Sequence, residues 1–123
     1  MLQPEVVFCG KSLYISGLAS GIQKEKQLRV IRLESAFNQI TEDLKMLCPD
    51  IVIFELDSEN PEEAVRDFLK AYPHTGLIGL TPDDDSLTVF SGELHYKTHI
   101  DELGAVIMDK NIFQCVRPKG SLK

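Results

Sequence analysis

Short apolar runs alternating with segments of helical period predict an α/β protein, three layers deep, with a parallel sheet in the middle. Two observations carry that prediction. The runs EVVFCG (5–10), LRVIRLE (28–34), DIVIFEL (50–56) and GLIGLTP (76–82) are apolar and rich in β-branched residues, as strands buried on both faces are. The segments between them repeat apolar residues at helical spacing, and strands joined through helices are parallel with right-handed crossovers.

The elements follow in order. Between the first two strands, KSLYISGLASGIQKEKQ (11–27) reads as a helix, and Gly17 and Gly21 put two small residues on one face for close packing. Ser35 is a natural N-cap for a second helix, whose Phe37, Ile40, Leu44 and Leu47 repeat until Pro49 stops the run. DIVIFEL is the most continuous apolar strand and is expected at the centre of the sheet. Asn60 as N-cap, Pro61 at the first helical position and the acids Glu62 and Glu63 signpost the third helix. Its buried stripe is Val65, Phe68, Leu69 and Tyr72.

After GLIGLTP the alternation breaks. LTVFSGELHY (87–96) has no helical stripe and carries Ser91-Gly92 between two strand-forming runs, which is a hairpin signal. A turn at Ser91-Gly92 sets Val89 opposite Leu94 and Leu87 opposite Tyr96 on one face, with Thr88, Phe90, Glu93 and His95 on the other. Thr98, with Asp101 three residues on, is the expected cap of a last helix through Ile100, Leu103 and Ile107.

A chain of 123 residues is the size of one domain. Residues 1–110 form it in this reading, and 111–123, ending in RPKGSLK, are a partly flexible C-terminal extension. A net charge of −6 with scattered Lys and Arg argues against a nucleic-acid partner, and no apolar run has the length of a membrane span. The N-terminus lacks signal-peptide features, and Cys9, Cys48 and Cys115 fit no disulfide or zinc spacing, so a reducing cytoplasm is expected.

Chemistry in open α/β sheets gathers at the carboxyl ends of strands, which here carry Cys9-Gly10, Glu55 to Asp57, and Thr81. These residues sit in a pattern. The stretch CGKSLYISGL (9–18) resembles the Asp-Asp-His-Pro-Leu-Phe-Arg-Glu-Gly-Leu of response-regulator receiver domains, with Leu13, Gly17 and Leu18 matching. PDIVIF (49–54) is similar to the approach to that family's phosphoacceptor, with Glu55 where the acceptor Asp belongs, and Leu80-Thr81 resembles the end of its fourth strand. The resemblance spans nearly the whole chain. It implies a flavodoxin-like, doubly wound sheet of five parallel strands, here with the fourth helix replaced by the hairpin. It also implies two-component phosphorelay signalling, with a histidine kinase or another regulator as partner.

The resemblance implies an Asp that takes a phosphoryl group beside Mg²⁺, which an acid pair after the first strand holds. At the pair's positions Cys9 offers a soft sulfur and Gly10 no side chain, so no metal or other cofactor is expected. Glu55 adds a methylene that moves its carboxylate by about 1 Å, an error worth on the order of a hundredfold in a positioned reaction. Glu55 is then either a fixed negative charge that mimics the phosphorylated state, helped by Thr81 and by Lys97 as an ion-pair partner, or a plain surface acid. Lys97 lies one residue nearer the following Glu-Leu than receiver spacing requires.

Other readings compete. Cys9 before a helix is where thiol phosphatases and phosphocysteine carriers place a nucleophile, although the chain after Ser12 is apolar instead of forming a phosphate loop. Asp57, two residues past Glu55, is a candidate substitute acceptor, against the plainer reading that it begins the loop before Asn60. Asp83, Asp84 and Asp85 read as a solvated turn, and His74, His95 and His99 have no metal-like spacing. An exposed hairpin edge can pair with a second copy to give a homodimer, a pairing that Glu93 and His95 would oppose. The expectation is a non-enzymatic, atypical standalone receiver acting through protein contacts. A thiol phosphoryl carrier or phosphatase using Cys9, or a receiver still phosphorylated on Asp57 or Glu55, are the alternatives.

Overall fold

The computed structural model describes residues 5–10, 12–24, 28–34, 41–47, 49–56, 62–72, 75–91 and 94–108. In chain order its elements are β1 (Glu5–Cys9), α1 (Leu13–Gln23), β2 (Arg29–Leu33), α2 (Thr41–Leu47) and β3 (Ile51–Glu55). There follow α3 (Glu62–Ala71), β4 (Gly76–Thr81), β5 (Ser86–Ser91), β6 (Leu94–His99) and α4 (Leu103–Met108). The six strands form one sheet in the order β2-β1-β3-β4-β5-β6.

The first four strands are parallel, and β3 lies between β1 and β4 with Ile51 to Phe54 all buried, as its unbroken apolar run predicts. The remaining two are not. β5 pairs antiparallel with β4, and β6 antiparallel with β5, so the expected five-stranded parallel sheet is instead a mixed sheet of six. The connection decides the direction: β4 and β5 are joined only by the 3₁₀ turn Pro82–Asp84 and Asp85, and a parallel return needs a crossover of about a dozen residues.

The hairpin ladder closes at Ser91 opposite Leu94, one step further along than Ser91-Gly92 suggests. Val89 therefore faces Tyr96, and Leu87 faces Thr98. Gly-Glu, like Ser-Gly, contains a residue type that two-residue connections favour, so composition alone did not separate the registers. The shift is even, so Leu87, Val89 and Tyr96 still share one face.

Two apolar clusters make the layers. Val6, Phe8, Ile51, Ile53, Ile78, Leu80, Leu87 and Val89 pack with Ile15 and Ala19 of α1 and Leu103, Val106 and Ile107 of α4. On the opposite face, Val7, Cys9, Val52, Phe54, Leu77 and Phe90 pack with Leu44 of α2 and Val65 and Phe68 of α3. Phe68 and Tyr72 add a tilted ring pair at 5.0 Å. Each strand thus sends alternate side chains into different cores.

Gly79 belongs to this packing, since a Cβ there would lie 2.5 Å from Leu56 Cγ. Gly17 and Gly21 do not. A Cβ on either meets nothing within 4 Å, so the close packing expected of them is absent among the described residues: α1 turns Ile15 and Ala19 to the sheet and leaves both glycines on its exposed side. The last helix also starts differently, because Thr98 is still in β6 and His99 is the cap of the 3₁₀ turn Ile100–Glu102, its Nδ1 accepting from Asp101 N–H at 3.1 Å. The proposed caps Ser35 and Asn60, with Pro61 and the extension 111–123, lie outside the described residues.

Candidate functional site

Strand order reverses direction between β1 and β3, because β1 leads to β2 on one side and β3 continues the sheet on the other. The carboxyl end of the sheet at such a point is where open α/β sheets hold ligands. Glu55 ends β3 there, half-buried, and the β1–α1 loop crosses beside it. The two meet through Ser12, whose hydroxyl donates to Glu55 Oε2 at 2.9 Å.

Ser12 has a second task. It is the N-cap of α1, and its Oγ accepts the Ile15 N–H at 3.1 Å while its carbonyl takes the Ser16 N–H at 3.0 Å. Arg32, near the end of β2, reaches over the same loop and donates from Nη2 to Ser16 Oγ at 3.2 Å and to the Gly10 carbonyl at 3.4 Å. β2, the loop, α1 and β3 are therefore tied together by polar side chains at one end of the sheet.

Gly10 has φ +127°, far from the left-handed well that Asn and Asp tolerate. Its N–H donates to the Leu33 carbonyl at 2.9 Å, so the chain leaves β1 by a bend that glycine alone adopts without strain. Cys9, one residue earlier, points into the α2–α3 core and is 2% exposed. Burial pushes its thiol up to about 12.

Tyr14 lies within reach of the charge of Glu55. Its hydroxyl is buried and makes no hydrogen bond among the described residues. Burial first, then the carboxylates of Asp85, Glu55 and Asp84, push its pKa up. These acids come from two elements: Glu55 from β3, and Asp84 and Asp85 from the turn after β4, where Asp85 is left-handed at φ 52°.

Thr81 and Lys97 lie on other strands. Thr81 ends β4 opposite Ser86, half-buried, and makes no side-chain capping bond to the turn it precedes. Lys97 lies on β6 opposite Thr88, exposed, with its ammonium 3.2 Å from Asp84 Oδ2. Asp84 also accepts from Ser86 Oγ at 2.6 Å, and these two partners, Ser86 foremost, hold its carboxyl below the ordinary range. Asp57 lies outside the described residues. Among the described residues no group of three or more His, Cys, Asp or Glu side chains is placed to hold a metal ion.

Sequence reasoning picks out Glu55 and its loop but misses Ser12, Arg32 and Tyr14. Ser12 is visible as an N-cap ahead of an apolar helix; its bond to a residue 43 positions away is not. The chain matches no protein-family model, no curated protein and no solved structure. No helix among the described residues is long and apolar enough to cross a membrane.

Proposed function

We propose that the chain is an atypical receiver-like domain of two-component signalling, working through noncovalent protein contacts, with Mg²⁺-dependent Asp phosphorylation lost. In this reading the sheet derives from a flavodoxin-like, doubly wound plan: β2-β1-β3-β4 run in its order, and the antiparallel β5–β6 hairpin stands where a fourth crossover would be. The partner is another signalling protein, a histidine kinase or a regulator, and the setting is cytoplasmic.

One observation carries the reading: a carboxylate, Glu55, ends the central strand at the switch point and is held by a hydroxyl from the β1–α1 loop. A fixed negative charge there suits a permanent stand-in for a phosphoryl group. The neighbouring positions support the loss of metal chemistry. An acid at position 10 would have to adopt glycine's backbone conformation, and position 9 is spent on a buried thiol. The same burial weighs against a thiol phosphatase or carrier, because at neutral pH Cys9 has a negligible thiolate fraction and no path to a substrate.

Lys97, expected as an ion-pair partner of Glu55, does not take that role and lends the reading no support. Its charge is directed to Asp84 in the turn after β4, so it braces the hairpin against that turn. Incubation with Mg²⁺ and a small acyl phosphate donor, followed by intact-mass measurement, tests the proposal. An unchanged mass is expected, whereas a gain of one phosphoryl group would show that Asp57 or Glu55 remains an acceptor. Glu55→Gln should weaken binding of the cognate regulator, and equal affinity would reduce Glu55 to a surface acid.

A further inference from the structure

Ser12 is one hydroxyl serving two elements. A serine O–H has one proton to donate and lone pairs to accept with. With the proton directed at Glu55 Oε2, 2.9 Å away, the lone pairs turn to the Ile15 N–H at 3.1 Å. Ile15 is the third residue of α1, where a capping box would carry its own Glu or Gln; this helix has neither in its first turn. The acid that organises the cap comes from β3 instead.

From this geometry we infer that Glu55 governs the N-terminal turn of α1 through Ser12, so that the charge at the end of β3 and the order of that turn are a single coupled unit. Bonds in such a chain strengthen one another, and an ionised acceptor makes the first of them the stronger. The coupling runs both ways by linkage. A partner whose Lys or Arg side chain takes Glu55 draws it from Ser12 and loosens the cap, and a partner that holds α1's first turn in place strengthens Glu55's grip on Ser12. Leu13, the first residue of that turn, is 90% exposed, so the turn lies on the surface where its order can be sensed.

The inference deepens the fixed-charge reading of Glu55, but its test needs neither a partner nor a phosphoryl donor, so either can fail alone. Amide hydrogen exchange of Ile15 and Ser16 is followed by NMR in the full chain, with the β3 and β4 amides as internal reference. Ser12→Ala should speed exchange at Ile15 about fivefold, the usual size of an N-cap loss. Glu55→Ala should speed it about twofold to threefold, and Glu55→Gln less, because the amide oxygen still accepts. The deciding measurement is the double variant, in which Glu55→Ala should add nothing once Ser12 is Ala. Ser12→Thr, which keeps the hydroxyl, should restore the Glu55 dependence. An Ile15 rate unaffected by Glu55→Ala, or an effect of undiminished size in the Ser12→Ala background, would overturn the inference.

Discussion

Replacing Gly10 by Asp would place an acid where, in the proposed receiver reading, a metal-holding acid belongs, and the structure says what that acid would meet. A Cβ at Gly10 lies 3.6 Å from Ile15 Cγ1, an ordinary contact, so the space is available. The backbone is the obstacle. At φ +127° any residue with a Cβ is strained, and residues held in such regions cost about 1 to 3 kcal/mol. For a chain of this length about 1 kcal/mol corresponds to roughly 4 °C in the unfolding midpoint, so a fall of about 4 to 12 °C is expected. Because the penalty is conformational, Gly10→Ala and Gly10→Asp should lose similar amounts. Differential scanning calorimetry of the two variants, with and without about 10 mM Mg²⁺, measures both this loss and any metal site. A restored site with a Kd of about 0.1 mM would add about 2.7 kcal/mol at that concentration, a shift too large to miss. No Mg²⁺-dependent rise is expected, since position 9 still carries a sulfur turned into the core. A Gly10→Asp midpoint equal to that of the native chain would refute the backbone argument, and Mg²⁺ stabilisation of the variant would show that one substitution separates this end of the sheet from a working metal site.

Gly79→Ala places a Cβ 2.5 Å from Leu56 Cγ and 2.7 Å from its Cδ1, and should lower stability by about 1 to 3 kcal/mol in urea unfolding. The loss should shrink in the background of Leu56→Ala, where the obstructing atoms are gone. Asp84 titrates below its ordinary value of 3.8, so its contribution to stability is complete above that value and lost as pH falls through the depressed folded pKa. Lys97→Met should raise the Asp84 midpoint in a carboxyl chemical-shift titration, but only in part, because the Ser86 bond at 2.6 Å stays. In a chain with Cys48 and Cys115 replaced by Ser, Cys9 should resist a thiol reagent at pH 8 until the protein is unfolded, because burial pushes its thiol up to about 12. Rapid labelling of the folded protein would reopen the thiol alternative.

What the sequence revealed of the fold depended on how local the signal was. β3 is legible because Ile51 to Phe54 are apolar at consecutive positions and β-branched in three of the four, a short run that a strand covered on both faces requires. The stripe Val65, Phe68, Leu69 and Tyr72 is legible for a similar reason, since a single periodicity places all four against one core. The hairpin's two faces survived an error in register because side chains alternate with period two. Strand direction was different. The resemblance implied a fifth parallel strand, while the brevity of the 82–85 connection excluded one, and counting those residues would have given the antiparallel answer. The glycines of α1 misled because their spacing says that one face is smooth and nothing about whether that face turns inward.

The site was legible only in its residues of unusual type, and that limit has a physical origin. Glu55 was noticeable because an acid ends an apolar run, and Cys9-Gly10 because they stand where acids were expected. Ser12, Arg32 and Tyr14 are ordinary residues in ordinary local settings: a cap, a strand cation and a half-buried aromatic. They acquire a role only when β1, β2 and β3 are set side by side, with Phe8 aligned to both Arg32 and Ile53. That alignment brings the end of β2 and the end of β3 to either side of the same loop. The loop's course, in turn, is fixed by one glycine conformation and by the Gly10 N–H to Leu33 carbonyl bond. The bend therefore does two things at once: it disfavours any side chain at position 10 and sets Ser12 where Glu55 accepts its proton. Straightening the bend would move Ser12 with it, so the Gly10 conformation and the Glu55–Ser12 bond stand or fall together.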